Sequence, residues 1–401
     1  MLSLAAATPH RPVPVYTIDL DLPPEQRFHV LLDPATNFNT TVWEFWNKYF
    51  VHDKLLTDAL FLLVDARGEE PGEMQAEIKG LSDLSRLPLK FVQGIQMLYE
   101  LQTIMVPVVN VSRLRGEVVG AINYTFHETM PKGWEALARM PVGPGCTGII
   151  ATNSLDGTVS HARNLDFFPS AIMNKLVFTG VFTRNGTELF RSQMVAGYVQ
   201  MVTGMRYGAD GFAIERNTRY TDHVGGFLQT FGNLLSGRTL NGWQLRKTLE
   251  TCEHYGCAVE RLSTVPYAST EYAVISGVRK GTILSRNPDG VAYTQTLGKP
   301  ASDKERKEYI IITNFDFFWN DIREWFDPTG GIGMLKPRRV EAEKVLNGIL
   351  DAGGALTPEA MFQAINARGV VAPSSKGDGT VFQAVINVEL SLWNVSIPVL
   401  Q

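Results

Sequence analysis

Cysteine is scarce in this chain, with only three residues, at 146, 252 and 257. That count excludes a disulfide-stapled scaffold. The seven histidines, at 10, 29, 52, 127, 161, 223 and 254, show no HExxH or paired ligand spacing. No second Cys/His cluster completes a site around CEHYGC, so no metal is expected there. Cys252 and Cys257 read instead as a local disulfide or two packed thiols. Long apolar runs are also missing, and none approaches the ~18 residues that span a bilayer. Lys/Arg-rich runs are absent and the net charge is −4, which excludes nucleic acid as a partner class. The opening MLSLAAATPHRP lacks the basic start of a secretion signal.

What is present describes a globular protein with a large core: 401 residues, 44% hydrophobic and 19% charged, enough for one large domain or two unequal ones. Five N-x-S/T sequons, at Asn39, Asn110, Asn123, Asn185 and Asn394, exceed chance and point to a glycosylated protein of the secretory route. VPVYTIDL alternates as a strand, and residues 26 to 64 turn helical around VWEFWNKYFVHDKLLTDALFLLV. Trp43, Phe45, Trp46, Tyr49 and Phe50 spread aromatics over more than one side of that helix. Such a helix packs a core or touches a lipid surface as a peripheral contact. Two further helices are expected over 76–104, broken near Leu87-Pro88. Residues 106–145 change texture and end in PVGPG, the strongest loop signal in the chain. Strands, one helix over 239–262, more strands, helices near 338–352 and 357–368 and a last strand near 380–390 follow. This pattern predicts an α+β protein of layered sheets with helices outside, not a βαβ nucleotide fold.

The stretch GCTGIIATNSLDGTVSHARNLDF carries the chemistry. A two-residue turn at Asp156-Gly157 predicts a hairpin in which Cys146 faces Phe167 and Thr147 faces Asp166. Arg163 then faces Ile150, on the face of Cys146 but about 13 Å along the ribbon. Asp166 falls on the other face, so all three converge only through a bulge. A thiolate beside a guanidinium is a competent nucleophile. If the Gly145–Cys146 bond were cut, the free α-amine of Cys146 would lie next to its own thiol and serve as its base.

That stretch resembles the maturation site of the acid ceramidase and N-acylethanolamine acid amidase family, in the choloylglycine-hydrolase branch of the N-terminal nucleophile (Ntn) hydrolases. YTIDLDLPPEQRF, LPLKFVQGIQMLYELQTI, VAGYVQMVTG, AIER, ILSRNPDG, TNFD and RRVEAEKVLN extend the resemblance in family order. The resemblance implies a four-layer αββα sandwich over 146–401, with 1–145 a mainly helical accessory subunit retained noncovalently after self-cleavage at Gly145–Cys146. It makes Cys146 the nucleophile, with Arg163 supporting the thiolate and Asp166 holding the new α-amine. Asn314 would donate to the oxyanion and Arg338 would brace the site. Glu215 would lie near the pocket in an open role. Without the resemblance, Asn314 reads as a turn residue after a strand and Arg338 as a solvated helix start. Three features depart from the pattern: about forty residues intervene between the YEL helix and Cys146, Lys336 and Pro337 stand where relatives have acidic residues before the paired arginines, and no cysteine precedes Cys146 to link the subunits.

These readings predict a lipid amidase without a cofactor. Ceramide is the expected substrate and N-acylethanolamines the alternative. A bile-salt or penicillin-type acylase and a non-enzymatic lipid-binding protein are the remaining readings.

Overall fold

The computed structural model describes residues 10–101, 145–167, 169–220, 224–300, 306–319, 337–372 and 379–399. The expected insert at 106–145 lies outside them except for Gly145, as do the sequons Asn110 and Asn123. Two sheets form the centre. The six-stranded sheet runs β1 (His10–Pro12), β14 (Leu392–Pro398), β13 (Gly379–Asn387), β4 (Val159–Phe167), β3 (Cys146–Thr152) and β12 (Tyr309–Ile312). The eight-stranded sheet runs β11 (Gly290–Thr296), β10 (Lys280–Asn287), β9 (Glu271–Gly277), β8 (Phe212–Thr218), β7 (Thr203–Arg206), β6 (Thr187–Val195), β5 (Val177–Arg184) and β2 (Val15–Asp19). Every pairing is antiparallel except β2 with β5.

The alternation of β3 and β4 explains the layers. Ile149, Ala151 and Ala162 point outward and bury Ala342, Leu346, Met361 and Ile365 from the helices Arg338–Asp351 and Pro358–Ile365. Ile150 and Val159 point inward onto Tyr272, Val274 and Ile283 of the facing sheet. The helices Asn241–Thr251 and Tyr255–Thr264 pack on the eight-stranded sheet at β8 and β9. The architecture is therefore αββα, as expected. The segment read as one helix over 239–262 is two, interrupted at Cys252–His254, where Cys252 and Cys257 form a disulfide.

The N-terminal segment is helical from Phe38 to Leu101 except at short links, and Pro88 caps the helix Leu89–Ile95 where the break was expected. Its aromatic helix Phe38–Trp46 turns most rings inward. Trp46 stacks on Phe50 and Phe61 and leans on Phe91, while the Trp43 indole donates to the Ser85 carbonyl at 2.8 Å. Buried ion pairs fasten this segment to the helix Asn241–Thr251 and to β8. Glu77 meets Arg246, with Nη2–Oε1 at 2.6 Å, and Glu100 meets Arg216 at 2.8 Å. Among the described residues no helix is long and apolar enough to cross a membrane.

The Glu100–Arg216 pair is shared with Glu271, whose carboxylate lies 2.6 Å from Arg216 Nε. Burial, offset only in part by Arg216, pushes Glu271 up to about 7 from an ordinary 4.5, and the Glu100 charge adds to the rise. A carboxyl raised on folding contributes stability that is fully present below about pH 4.5 and is lost as pH rises through about 7, up to about 3 kcal/mol. Glu271→Gln mimics the protonated form. Thermal melts at acidic and neutral pH are expected to show wild type losing more stability than this variant as pH rises; equal losses would contradict the assignment.

Candidate active site

Cys146 opens β3, and the hairpin register decides what surrounds it. The expected register is corrected by two residues: Cys146 pairs with Leu165, Thr147 with Asn164 and Gly148 with Arg163. The turn is longer than two residues because Asn153 N–H bonds the Thr158 carbonyl, while Asn153 Oδ1 accepts from Leu155 N–H and Asp156 Oδ1 from Thr158 N–H. These side-chain acceptors stabilise a wider loop, with Gly157 at φ +76° closing it. The shift brings Arg163 opposite the second residue after Cys146, so its Nη2 reaches the sulfur at 3.5 Å without a bulge.

Arg163 is held from the facing sheet, with Nη1 donating to the Val202 carbonyl at 2.8 Å and to Thr203 Oγ1 at 2.5 Å. Glu215 on β8 approaches Arg163 Nε at 3.8 Å and meets His161 Nε2 at 3.0 Å. The other nitrogen of His161 lies 3.1 Å from Ser276 Oγ. Gly148 makes this approach possible, because a Cβ there would lie 2.3 Å from Glu215 Oε1 and 3.2 Å from Asn217 Nδ2. Glu215 Oε1, both amide atoms of Asn217 and Arg163 Nε are buried without a hydrogen-bond partner among the described residues. Buried polar atoms of this kind occur where a water or ion is held, where strain is stored or where a catalytic group acts.

Asp166 stays on the opposite face of the hairpin, as the alternation requires. Arg338 joins the two faces: its Nη1 donates to the Cys146 carbonyl at 2.8 Å and to Asp166 Oδ2 at 3.1 Å, and its Nη2 donates to Asn314 Oδ1 at 2.6 Å. Thr380 Oγ1 donates to Asp166 Oδ1 at 2.6 Å. Arg338, far from a solvated helix start, is fully buried. Asn314 also accepts the Cys146 N–H at 2.9 Å, and its own amide donates to the Thr218 carbonyl at 2.7 Å. In the continuous chain the Cys146 nitrogen thus rests on Asn314 rather than on Asp166, and one of the two Asn314 amide hydrogens goes to Thr218. The Gly145 carbonyl accepts the Asp166 N–H at 2.8 Å, so both sides of the Gly145–Cys146 peptide are held.

Burial pushes the Cys146 thiol up, Arg163 and the Tyr99 hydrogen bond pull it back in part, and the charges of Asp166 and Glu215 add to the rise. The sulfur is therefore a neutral thiol until a base takes its proton. Three neighbours escape sequence reasoning. His161 shares the inward face with Arg163 by simple alternation, a signal available in SHARN. Tyr99, 3.3 Å from the sulfur, and Asn217 arrive across the layers and leave no local pattern. An apolar cavity of about 50 Å³ begins here, lined by Tyr99, Leu165, Phe167 and Val202 and continuing to Val42 and Phe45 of the aromatic helix. Among the sequons, Asn185 and Asn394 are exposed, whereas Asn39 is half-buried with its Oδ1 enclosed. Among the described residues no His/Cys/Asp/Glu group of metal-binding size occurs.

No protein-family model matches the chain. An N-acylethanolamine-hydrolyzing acid amidase of Caenorhabditis elegans is 26% identical over 304 residues, which cover 75% of this chain and 74% of that protein. Human acid ceramidase is 26% identical over 345 residues, covering 84% of this chain and 75% of its own length. A solved structure of the Caenorhabditis elegans N-acylethanolamine-hydrolyzing acid amidase ortholog matches 60% of this chain and 92% of its own, at 24% identity and a TM-score of 0.48. The chain is therefore similar to the acid ceramidases and N-acylethanolamine-hydrolysing acid amidases across most of its length.

Proposed function

We propose that the protein is a cysteine amidase that hydrolyses N-acyl lipids, with ceramide as its foremost substrate, after cutting its own chain at Gly145–Cys146. The observation that supports this reading is that two neighbours of Cys146 also line an apolar cavity. Tyr99, which touches the sulfur, and Leu165, which pairs with Cys146, both line that cavity. An acyl chain lying there presents its amide carbonyl to the thiol.

In self-cleavage the thiol attacks the Gly145 carbonyl, whose oxygen already accepts the Asp166 N–H. The amide nitrogen of Cys146 leaves as an amine, and water hydrolyses the resulting ester to the thiol. The released α-amine then takes the thiol proton, and Arg163 offsets the charge on sulfur. Attack on the substrate carbonyl forms a tetrahedral oxyanion. Asn217 Nδ2, buried without a hydrogen-bond partner among the described residues, and the second amide hydrogen of Asn314, beyond the one given to Thr218, are the donors suited to it. Collapse expels the lipid amine with the proton held by the α-amine, leaving an acyl-thioester that water converts to the fatty acid. Arg338 keeps Asn314, the Cys146 carbonyl and Asp166 in register throughout.

The pieces 1–145 and 146–401 remain together noncovalently in this reading, in a lysosomal or secreted setting. The test is a panel comprising a ceramide, an N-acylethanolamine and a soluble bile-salt conjugate, incubated with the full chain at acidic and neutral pH, with released acid measured by mass spectrometry. Lipid amides, ceramide foremost and faster in acid, are the expected substrates. Preference for the soluble conjugate would favour the acylase reading. Stoichiometric lipid retention without turnover would leave a binding protein.

A further inference from the structure

We propose that Tyr99 is a catalytic residue: its phenolic hydrogen turns from the Arg216 carbonyl to the Cys146 sulfur as the thiol loses its proton. The N-terminal segment thereby supplies one group of the reacting centre. This inference rests on the reading of Cys146 as the nucleophile.

The geometry offers one hydroxyl hydrogen two acceptors. The Tyr99 oxygen lies 2.9 Å from the Arg216 carbonyl oxygen and 3.3 Å from the Cys146 sulfur. With a neutral thiol, the hydroxyl donates to the carbonyl and accepts from S–H. Once the sulfur is charged, rotation about the phenolic C–O bond aims the same hydrogen at the thiolate. A charged acceptor makes the stronger bond. No bond to Tyr99 is made or broken, and the thiol proton goes to the α-amine of Cys146. Burial raises the Tyr99 phenol well above its ordinary value, and the neighbouring sulfur charge raises it further, so the group stays protonated and acts as a donor rather than a base.

The surroundings fix the ring for this task. The Arg216 guanidinium lies 4.0 Å from the centre of the Tyr99 ring and is anchored by Glu100, the next residue, and by Glu271. One turn earlier, Gln96 donates to the Gly197 carbonyl at 2.7 Å and accepts the Val199 N–H at 3.0 Å. This anchoring is independent of the covalent link through residue 145, so it would survive a cut there.

The full chain supports a direct test, because the Cys252–Cys257 disulfide leaves Cys146 as the one free thiol. Thiolate formation is followed by ultraviolet absorbance against pH, with the Cys146→Ala chain subtracted. Tyr99→Phe keeps the ring and its Arg216 contact and removes only the hydroxyl. The expected result is a thiolate midpoint about one pH unit or more higher. A kcat for the lipid amide about 10- to 100-fold lower, with KM little changed, is expected alongside it. An unmoved midpoint overturns the proposal even if activity falls, since a merely structural role would lower activity alone. Should Tyr99→Phe fail to fold, 3-fluorotyrosine at position 99 retains the shape with a stronger donor; the midpoint then falls, and an unchanged one overturns the proposal. The midpoint is read without any substrate, so failure of the amidase reading leaves this test intact.

Discussion

Cys146→Ala is expected to yield a chain of full mass that releases no fatty acid, and wild type is expected to separate under denaturing conditions into two pieces, the second beginning at Cys146. The expected loss of amide hydrolysis is at least about 10⁴-fold, the order seen when a nucleophile is removed from a preorganised site. The substitution deletes one small buried atom, so folding survives at a cost of about 1 kcal/mol. Intact-mass measurement before and after acid incubation checks cleavage, and fatty-acid release checks turnover. The two readouts separate two steps that share one sulfur. An alanine chain that still divides at residue 145 would show that cleavage belongs to another group, while an undivided but active wild type would make Cys146 an internal nucleophile.

Arg338→Met unfolds at markedly lower denaturant than wild type, with an expected loss of about 3–5 kcal/mol. The size follows from burial. Arg338 is enclosed with Asp166, and removing the guanidinium leaves a carboxylate in the interior without its arginine. The same change releases the Cys146 carbonyl and Asn314 Oδ1, so cleavage and hydrolysis fall together. Asp166→Asn added to Arg338→Met removes the stranded charge and is expected to recover part of the stability but not the activity. Urea unfolding of the single and double variants gives the comparison. A double variant no more stable than Arg338→Met would show that the ion pair is not the source of the loss.

The parts of the fold legible in the sequence are those set by local chemistry. Pro88 caps the helix Leu89–Ile95 just after the preceding one closes at Arg86, and the alternation in CTGIIAT and TVSHARNLDF places Cys146 and Arg163 on one face and Asp166 on the other. The turn was legible in place but not in length, because Asn153 and Asp156 supply acceptors that a two-residue turn does not need. The single helix expected over 239–262 failed at the disulfide loop, where Cys252 and His254 leave helical geometry. At the site, Asn314 and Arg338 were reachable only through resemblance, since their partners lie 168 and 192 positions away. Tyr99 and Asn217 were missed for the same reason: their meaning arises where a helix and a second sheet close over the hairpin.

The pairing of β1 with β14 has a consequence for biosynthesis. His10 and Ser396 are 386 positions apart, yet they lie side by side at the edge of one sheet, while β2, a few residues after β1, completes the edge of the other. During translation β1 therefore waits with an exposed edge until β14 emerges, whereas β2 can pair once β5 has; the β1–β14 closure is long-range, slow and prone to association. Ribosome-bound chains lacking residues 392–398 would hold that edge open, which makes this interval the one in which a folding helper matters most.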